Sequence, residues 1–489
     1  MGMLASTPRF RLRRGDVAAR ELGQYRDPRP LPSWPAIPAA GDSVQPDARR
    51  GSQCALDADR PEVDSRVTEA RENAMAVDMD VAVIGAGQAG LSLSHELTHA
   101  GVEHVVLERH QVGASWRRRW DSFCLVTPNW TVQLPGGRYA GDDPDGFMPR
   151  DEIVSHLEHY AGSFRAPVRE GVDVLALVPD DEGVFLLRTT SGDVRARHVV
   201  VASGAYQRPH RPPGVDLFPG SIQMIDAEEY TNPGALPPGG VLVVGSGQTG
   251  CQQAEELVEA GRDVYLACGR APWMPRRIDG RDVVSWLVET PFPEARLADL
   301  PSPAARLVAN LQTTGRDRGH DLHYRTLQAM GVTLLGRIAG VEDGTARFAP
   351  DLAGSVAFGD ARHADACELI RKSCAERGSA APEMPPPPPF VADPPDRLRL
   401  REVGTVIFTS GFRPDFTRWV AFPAAFDEMG FPIQVDGSST VVPGLHFMGV
   451  HFQRKRKSAT FLGVAEDAGV LAEHIVAGRR AHPVAVPRS

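Results

Sequence analysis

Lysine is nearly missing from this 489-residue sequence. It stands only at positions 372, 455 and 457, so arginine carries almost all the positive charge, a bias we read as genome base composition and not as function. The net charge of -9 at pH 7 offers no basic stripe, which argues against nucleic acid as a partner. Cysteine is also sparse. Cys54, Cys124, Cys251, Cys268, Cys367 and Cys374 are scattered and form neither a CxxC pair nor a disulfide framework, as expected in a reducing compartment, and a cytoplasmic address follows. No unbroken apolar run reaches the roughly 18 to 20 residues needed to cross a bilayer, and the N-terminus lacks the apolar core of a signal peptide. An integral membrane segment is therefore not expected. Neither a metal-ligand cluster nor a Ser-His-Asp arrangement stands out.

What is present is ordinary globular composition, with 42% hydrophobic and 24% charged residues, on a chain long enough for several domains. Residues 1–78 are rich in Arg, Pro, Ala and Asp without apolar periodicity and are expected to be a disordered extension, with Met75 or Met79 as an alternative start. The pattern then changes. Val81-Ala82-Val83-Ile84, a glycine turn, a helical segment to His99 and Val105-Val106-Leu107 make a βαβ unit. The same order recurs at Val241-Leu242-Val243-Val244, a glycine turn, a helix to Ala260 and Val264-Tyr265-Leu266. Residues 351–377 read as a charged amphipathic helix, followed by an extended Pro385–Pro389 run, together a spacer, lid or subunit contact.

The glycine turns carry the chemistry. Gly85-Ala86-Gly87-Gln88-Ala89-Gly90 follows a strand and opens a helix, with Glu108 and Arg109 at the end of the next strand. Gly85 permits the tight turn, Gly87 lets a pyrophosphate approach the backbone, Gly90 lets helix and strand pack, and Glu108 can accept from a ribose. The second set is Gly245-Ser246-Gly247-Gln248-Thr249-Gly250. Here Cys268 stands in the place of the acid and Arg270 follows. A carboxylate would repel the 2′-phosphate of NADP, whereas a guanidinium can clamp it, so the second site is expected to prefer NADPH.

In order along residues 79–475 come the first turn, Gly113-Ala114-Ser115-Trp116, Asp121, Leu125-Val126-Thr127-Pro128-Asn129 and Ala202-Ser203-Gly204. The second turn, Thr409-Ser410-Gly411-Phe412-Arg413-Pro414 and Gly463-Val464-Ala465-Glu466-Asp467-Ala468 complete the series. That series resembles the flavin-containing and Baeyer-Villiger monooxygenase superfamily. The resemblance implies an α/β protein of two Rossmann-like domains, the NADP domain inserted into the FAD domain. The expected boundaries are 79–213 and 412–480 for FAD, 214–411 for NADP with a helical and Pro-rich insertion at 351–400, and 481–489 as a tail. It also implies that Ser115, Trp116, Asp121, Ser203, Gly204, Gly411 and Asp467 lie along the cofactors, and that Asn129 lies at the reactive edge of the flavin.

The implied reaction is NADPH-driven, with dioxygen and a flavin C4a-hydroperoxide, and oxygenates nitrogen, sulfur or a carbonyl carbon of a small organic substrate. Two other readings stand beside it: a non-catalytic flavoprotein sensing redox or nucleotide state for a transport or regulatory partner, and an NADPH-dependent flavin reductase or oxidase. A dithiol reductase would need a cysteine partner for Cys124. The family pattern F-x-G-x-x-x-H-x-x-x-[YF] loses its histidine here, to Met224 counted from Phe218 or to Asp226 counted from Tyr230. The run Arg454-Lys455-Arg456-Lys457 reads as a solvated loop, with a place at the substrate mouth as the alternative. Substrate identity and oligomeric state are left open, a homo-oligomer among the options.

Overall fold

A computed structural model of the chain describes residues 77–180 and 184–481. Most of the expected N-terminal extension lies outside these residues. Val77 and Asp78, placed in that extension by the sequence reading, instead open the first strand, β1 (Val77–Ile84). Helix α1 (Gln88–His99) and strand β2 (His104–Glu108) follow.

The first sheet has a parallel core in which β1 lies between β2 and β4 (Val194–Val201). Strand β3 (Val168–Glu170) continues it beyond β2. On the other side β4 pairs in parallel with a strand from far down the chain, β10 (Leu445–Phe447), so the C-terminal region completes the sheet. Val81, Ala82, Val83, Val199 and Val200 are fully buried, which explains their continuous apolar run: a parallel strand covered on both faces has no polar side. Helix α1 covers one face and packs against the last helix, α4 (Val464–Ala481).

The second sheet is parallel throughout. Its order is β5 (Gln223–Asp226), β9 (Val403–Phe408), β6 (Gly240–Val244), β7 (Val264–Ala267) and β8 (Thr333–Leu335), with α2 (Gln248–Glu259) after β6. Its central strand β6 has the same neighbours by position that β1 has in the first sheet. The chain enters this unit after β4 and leaves it after β9. At the crossing, residues Arg208–Pro209 and Phe412–Arg413 pair antiparallel, Pro209 opposite Phe412 and Arg413 opposite Arg208. The architecture is thus two Rossmann-like units, the second inserted into the first.

The Pro-rich arm is no free spacer. Helix α3 (Leu352–Glu376) buries Cys367, Ile370 and Cys374 against Met274, Ile278, Val283 and Leu287. Arg325 Nε donates to the Pro388 carbonyl (2.8 Å), and Gln328 Nε2 to that of Val391 (3.1 Å), which straps the extended segment to the second unit.

Candidate functional site

Both glycine turns sit at the C-terminal ends of the central strands, where ligands of open α/β sheets bind. Gly85 has φ +108°, and a side chain there would meet the Ala202 carbonyl oxygen at 2.6 Å. Gly245 has φ +111° and would meet the Thr409 backbone at 2.8 Å. Helix and strand approach so closely that a Cβ on Gly90 would stand 1.9 Å from the Gly85 oxygen, and one on Gly250 2.1 Å from the Gly245 oxygen. Gly87 and Gly247 are the N-caps of α1 and α2, and no side chain caps either helix. First-turn N–H groups are therefore left for an anion, and the helix dipole favours one.

Beyond this shared frame the units differ. In the first, Glu108 accepts from the Ala86 N–H at 2.8 Å and from the His110 N–H at 2.9 Å, which fixes its carboxylate beside the turn. In the second, Ser246 and Tyr324 do that work. The Gly269 N–H donates to Ser246 Oγ (2.7 Å), Ser246 Oγ lies 2.6 Å from Tyr324 Oη, and Tyr324 donates to the Gly269 carbonyl (2.6 Å). Cys268 is fully buried, its thiol pushed far up by burial. Arg270 is exposed, its guanidinium 6.0 Å from the Phe358 ring of α3.

One cleft of about 1730 Å³ runs past both turns, well above the roughly 300–1,000 Å³ of a single small-ligand pocket. It has room for two dinucleotides and a small molecule. Of the residues expected to bind the cofactors or act at the flavin, all line it except Gly90, Gly250, Asp121, Asn129 and Asp467. The two glycines serve packing, as just described.

The other three lie outside that lining. Asp121 is exposed and holds Arg150 (2.8 Å) and Asn232 (2.8 Å); hydrogen bonds from Asn232, then Arg150, lower its pKa. It pins the flavin-side segment to the linker and does not face the cleft. Asn129 is buried, and both ends of its amide serve the backbone: Nδ2 donates to Asp143 O (2.9 Å), and Oδ1 accepts from the Met148 N–H (2.7 Å). It shapes a loop behind the wall. Asp467 is 2% exposed, lies 3.4 Å from Arg454, and has its pKa raised by burial.

The two candidate positions in the linker share one strand. Met224 and Asp226 both lie on β5, opposite Val406 and Phe408, and Asp226 accepts two hydrogen bonds from Arg211 at 2.8 and 3.0 Å. The basic run is not a solvated loop. Lys455 and Lys457 clamp Glu294 and Glu466 at 2.5–2.9 Å, and Arg454 holds Asp436 and Glu466 at 3.0 Å. Although burial works against it, the lysine hydrogen bonds hold the Glu466 carboxyl down at about 2. Arg456 and Lys457 both line the cleft, but Lys457 is tied to Glu294 and Glu466, whereas Arg456 lies 4.4 Å from the Phe292 ring and 5.0 Å from that of Phe452, with its pKa lowered to about 10 by burial.

Sequence reasoning missed several wall residues. Phe461 stacks on Trp116 at 5.3 Å between centroids, while Trp116 Nε1 donates to Gln88 Oε1 (3.0 Å) and Gln88 Nε2 to the Ala459 carbonyl (3.3 Å). Phe358 and Arg362 of α3 line the cleft beside Arg270. Nothing local marks these residues, because each reaches the cleft through a distant contact. The five cysteines within the described residues are all free, and no group there could hold a metal ion. No helix among them is long and apolar enough to cross a membrane.

Comparison with known proteins agrees with this geometry. Residues 82–303 match the family model described as pyridine nucleotide-disulphide oxidoreductase. A CzcO-like oxidoreductase of Geobacillus kaustophilus is 30% identical over 404 residues, 81% of this chain and 98% of that protein. Among solved structures, a flavin-containing monooxygenase from Stenotrophomonas maltophilia shares the fold with a TM-score of 0.58 at 18% identity, over 82% of this chain and 99% of the other. The bacillithiol disulfide reductase of Staphylococcus aureus shares it at 0.52 and 11%, over 82% and 99%. The chain belongs to the family of CzcO-like oxidoreductases. That kinship makes it an oxidoreductase, and its two glycine turns give it frames for two dinucleotides.

Proposed function

We propose that the protein is an FAD-dependent, NADPH-consuming monooxygenase of a small organic molecule, acting by N-, S- or carbonyl oxygenation in the cytoplasm. The observation that carries this reading is the single cleft onto which both uncapped helix N-termini open. The first turn and Glu108 would hold FAD, and the second turn with Arg270 would hold NADPH. When bound, the reduced flavin supplies the activation of dioxygen, the hard chemistry that protein side chains lack.

The chain's own part is to bind, orient and exclude water. Gly87 has no neighbour nearer than Ser115 Oγ at 3.9 Å from where a Cβ would be, so its backbone is open to a pyrophosphate. Trp116 and Phe461 form an apolar wall locked by Gln88. Asn129 supports that region from behind. A disulfide-reducing activity is disfavoured, since Cys124 has no cysteine partner among the described residues and its thiol is raised by burial.

The test follows NADPH consumption, oxygen uptake and product mass together in a substrate screen. Equal consumption of NADPH and oxygen, with a product one oxygen atom heavier, supports the reading. Oxygen taken up only as hydrogen peroxide across the screen would favour the oxidase reading, and no NADPH oxidation at all the sensing one.

A further inference from the structure

Among the described residues, most deeply buried arginines have carboxylate partners. Arg276, 1% exposed, pairs with Asp282, and Arg306, 6% exposed, lies 3.3 Å from Asp427. In the cleft wall, Arg119 stacks on Phe123 and Tyr206 within the field of Glu228. Arg456 departs from the rule. Among the described residues no carboxylate acts on its guanidinium, and its Nε is buried with no hydrogen-bond partner. Leaving a charged donor unsatisfied costs more than an ordinary missing hydrogen bond, so the arrangement makes sense if something else completes it.

The surroundings define what that is. Nearby acids are already occupied: Glu294 by Lys455 and Lys457, Glu466 by the same lysines and Arg454, and Asp467 by Arg454. Nor can the loop readily swing Arg456 to water. Its backbone N–H donates to the Ala295 carbonyl (2.7 Å) and that of Lys457 to Pro293 (3.1 Å), clamping it to the opposite wall. The two stacking rings fix the guanidinium plane, and Leu307, Phe431 and Leu462 add apolar surface to the same cleft. Two residues beyond Lys457 the loop reaches Ala459, which accepts from Gln88 of the first glycine turn.

We propose that Arg456 is the anchor of a substrate subsite, taking small organic acids by a carboxylate laid on the edge of its planar fork with their apolar body along the apolar wall of the cleft. A guanidinium matches a carboxylate with two parallel hydrogen bonds, and its stacked faces exclude water from the pair. The proposal rests on the oxygenase reading for what happens to the acid, and not for its binding.

The test titrates the flavin-loaded protein with phenylacetate and with phenylacetamide, an acid and its neutral counterpart, following the visible flavin spectrum without NADPH. In the wild type the acid should bind about 10- to 150-fold more tightly than the amide. Arg456→Met should bring the ratio close to one, and Arg456→Lys should keep part of it, since the charge survives but the fork does not. The subsite is overturned if the wild type binds neither compound or both equally, or if Arg456→Met keeps the preference. It is also overturned if both variants purify without flavin, which would put the guanidinium on a cofactor phosphate. Failure of the oxygenase reading looks different: the acid preference stands, but no oxygenated product forms with NADPH and oxygen.

Discussion

The two nucleotide-binding units share one frame and differ in how they close it. In the first, a carboxylate tied to two backbone N–H groups seals the turn, and α4 and the loop before it wrap the outside. In the second, a serine and a tyrosine seal it, a buried cysteine takes the acid's place, and an exposed arginine stands at the rim. The lesson is that the glycine frame specifies a dinucleotide, while the residue at the end of the second strand specifies which one and how firmly. A neutral seal and an exposed cation suit a nucleotide that must come and go; a carboxylate fixed by two backbone N–H groups suits one that stays.

The strongest way to break this comparison is to make the same substitution in both frames. Gly90→Ala puts a Cβ 1.9 Å from a backbone oxygen and should yield colourless or unfolded protein. Gly250→Ala meets a similar obstacle at 2.1 Å, yet the protein should remain yellow while reduction by NADPH slows on the order of 100-fold. Flavin absorbance per mole of protein and anaerobic reduction rates check both. If Gly250→Ala also loses its flavin, the units are not independent.

A finer cut is Arg270→Ala. Loss of a charge-assisted hydrogen bond to the 2′-phosphate should weaken NADPH use by about 10- to 150-fold and leave NADH use nearly unchanged. Anaerobic rates with both nucleotides decide, since an equal loss for both would give Arg270 a structural role. Next comes Asn129→Ala, which strands the Met148 N–H and Asp143 carbonyl and should cost about 1–3 kcal/mol. Calorimetry should show the melting temperature falling, with the flavin still bound. An unchanged melting temperature together with altered product yield would return Asn129 to the cleft.

The smallest effect belongs to a charge network that ties the end of the first unit to Glu294 of the inserted one. Glu466 is held at about 2 against an ordinary 4.5, so its contribution to stability is whole above the ordinary value. It shrinks as pH falls below that, and is gone once pH has passed through about 2. Solvent screening at this partly exposed site keeps it modest. Denaturation of wild type and Glu466→Gln should therefore show a gap at pH 6 that narrows toward pH 3; a constant gap would assign it to packing.

Both frames were legible in the sequence because their signals are local. Strand, turn and helix follow within about 25 residues, and the apolar runs of Val81–Ile84 and Val241–Val244 are what strands buried on both faces require. Asp121 misled because its partner Asn232 is 111 residues away, and Asn129 because its burial depends on a return of the chain through Asp143 and Met148. Arg456 sat inside a charge run that reads as solvated. Only the return of Glu294 and Phe292 from the inserted unit separates it from its neighbours.

The pairing of Arg208–Pro209 with Phe412–Arg413 has a consequence for ancestry. Where the inserted unit begins and ends, the two strands of the host already lie side by side, as the arms of a hairpin do. A unit mounted this way is a cassette: removing it leaves ends that a short turn could rejoin, and adding it opens no gap in the host sheet. The whole second frame, α3 and Pro-rich strap included, could thus be gained, exchanged or lengthened while the first sheet kept its register.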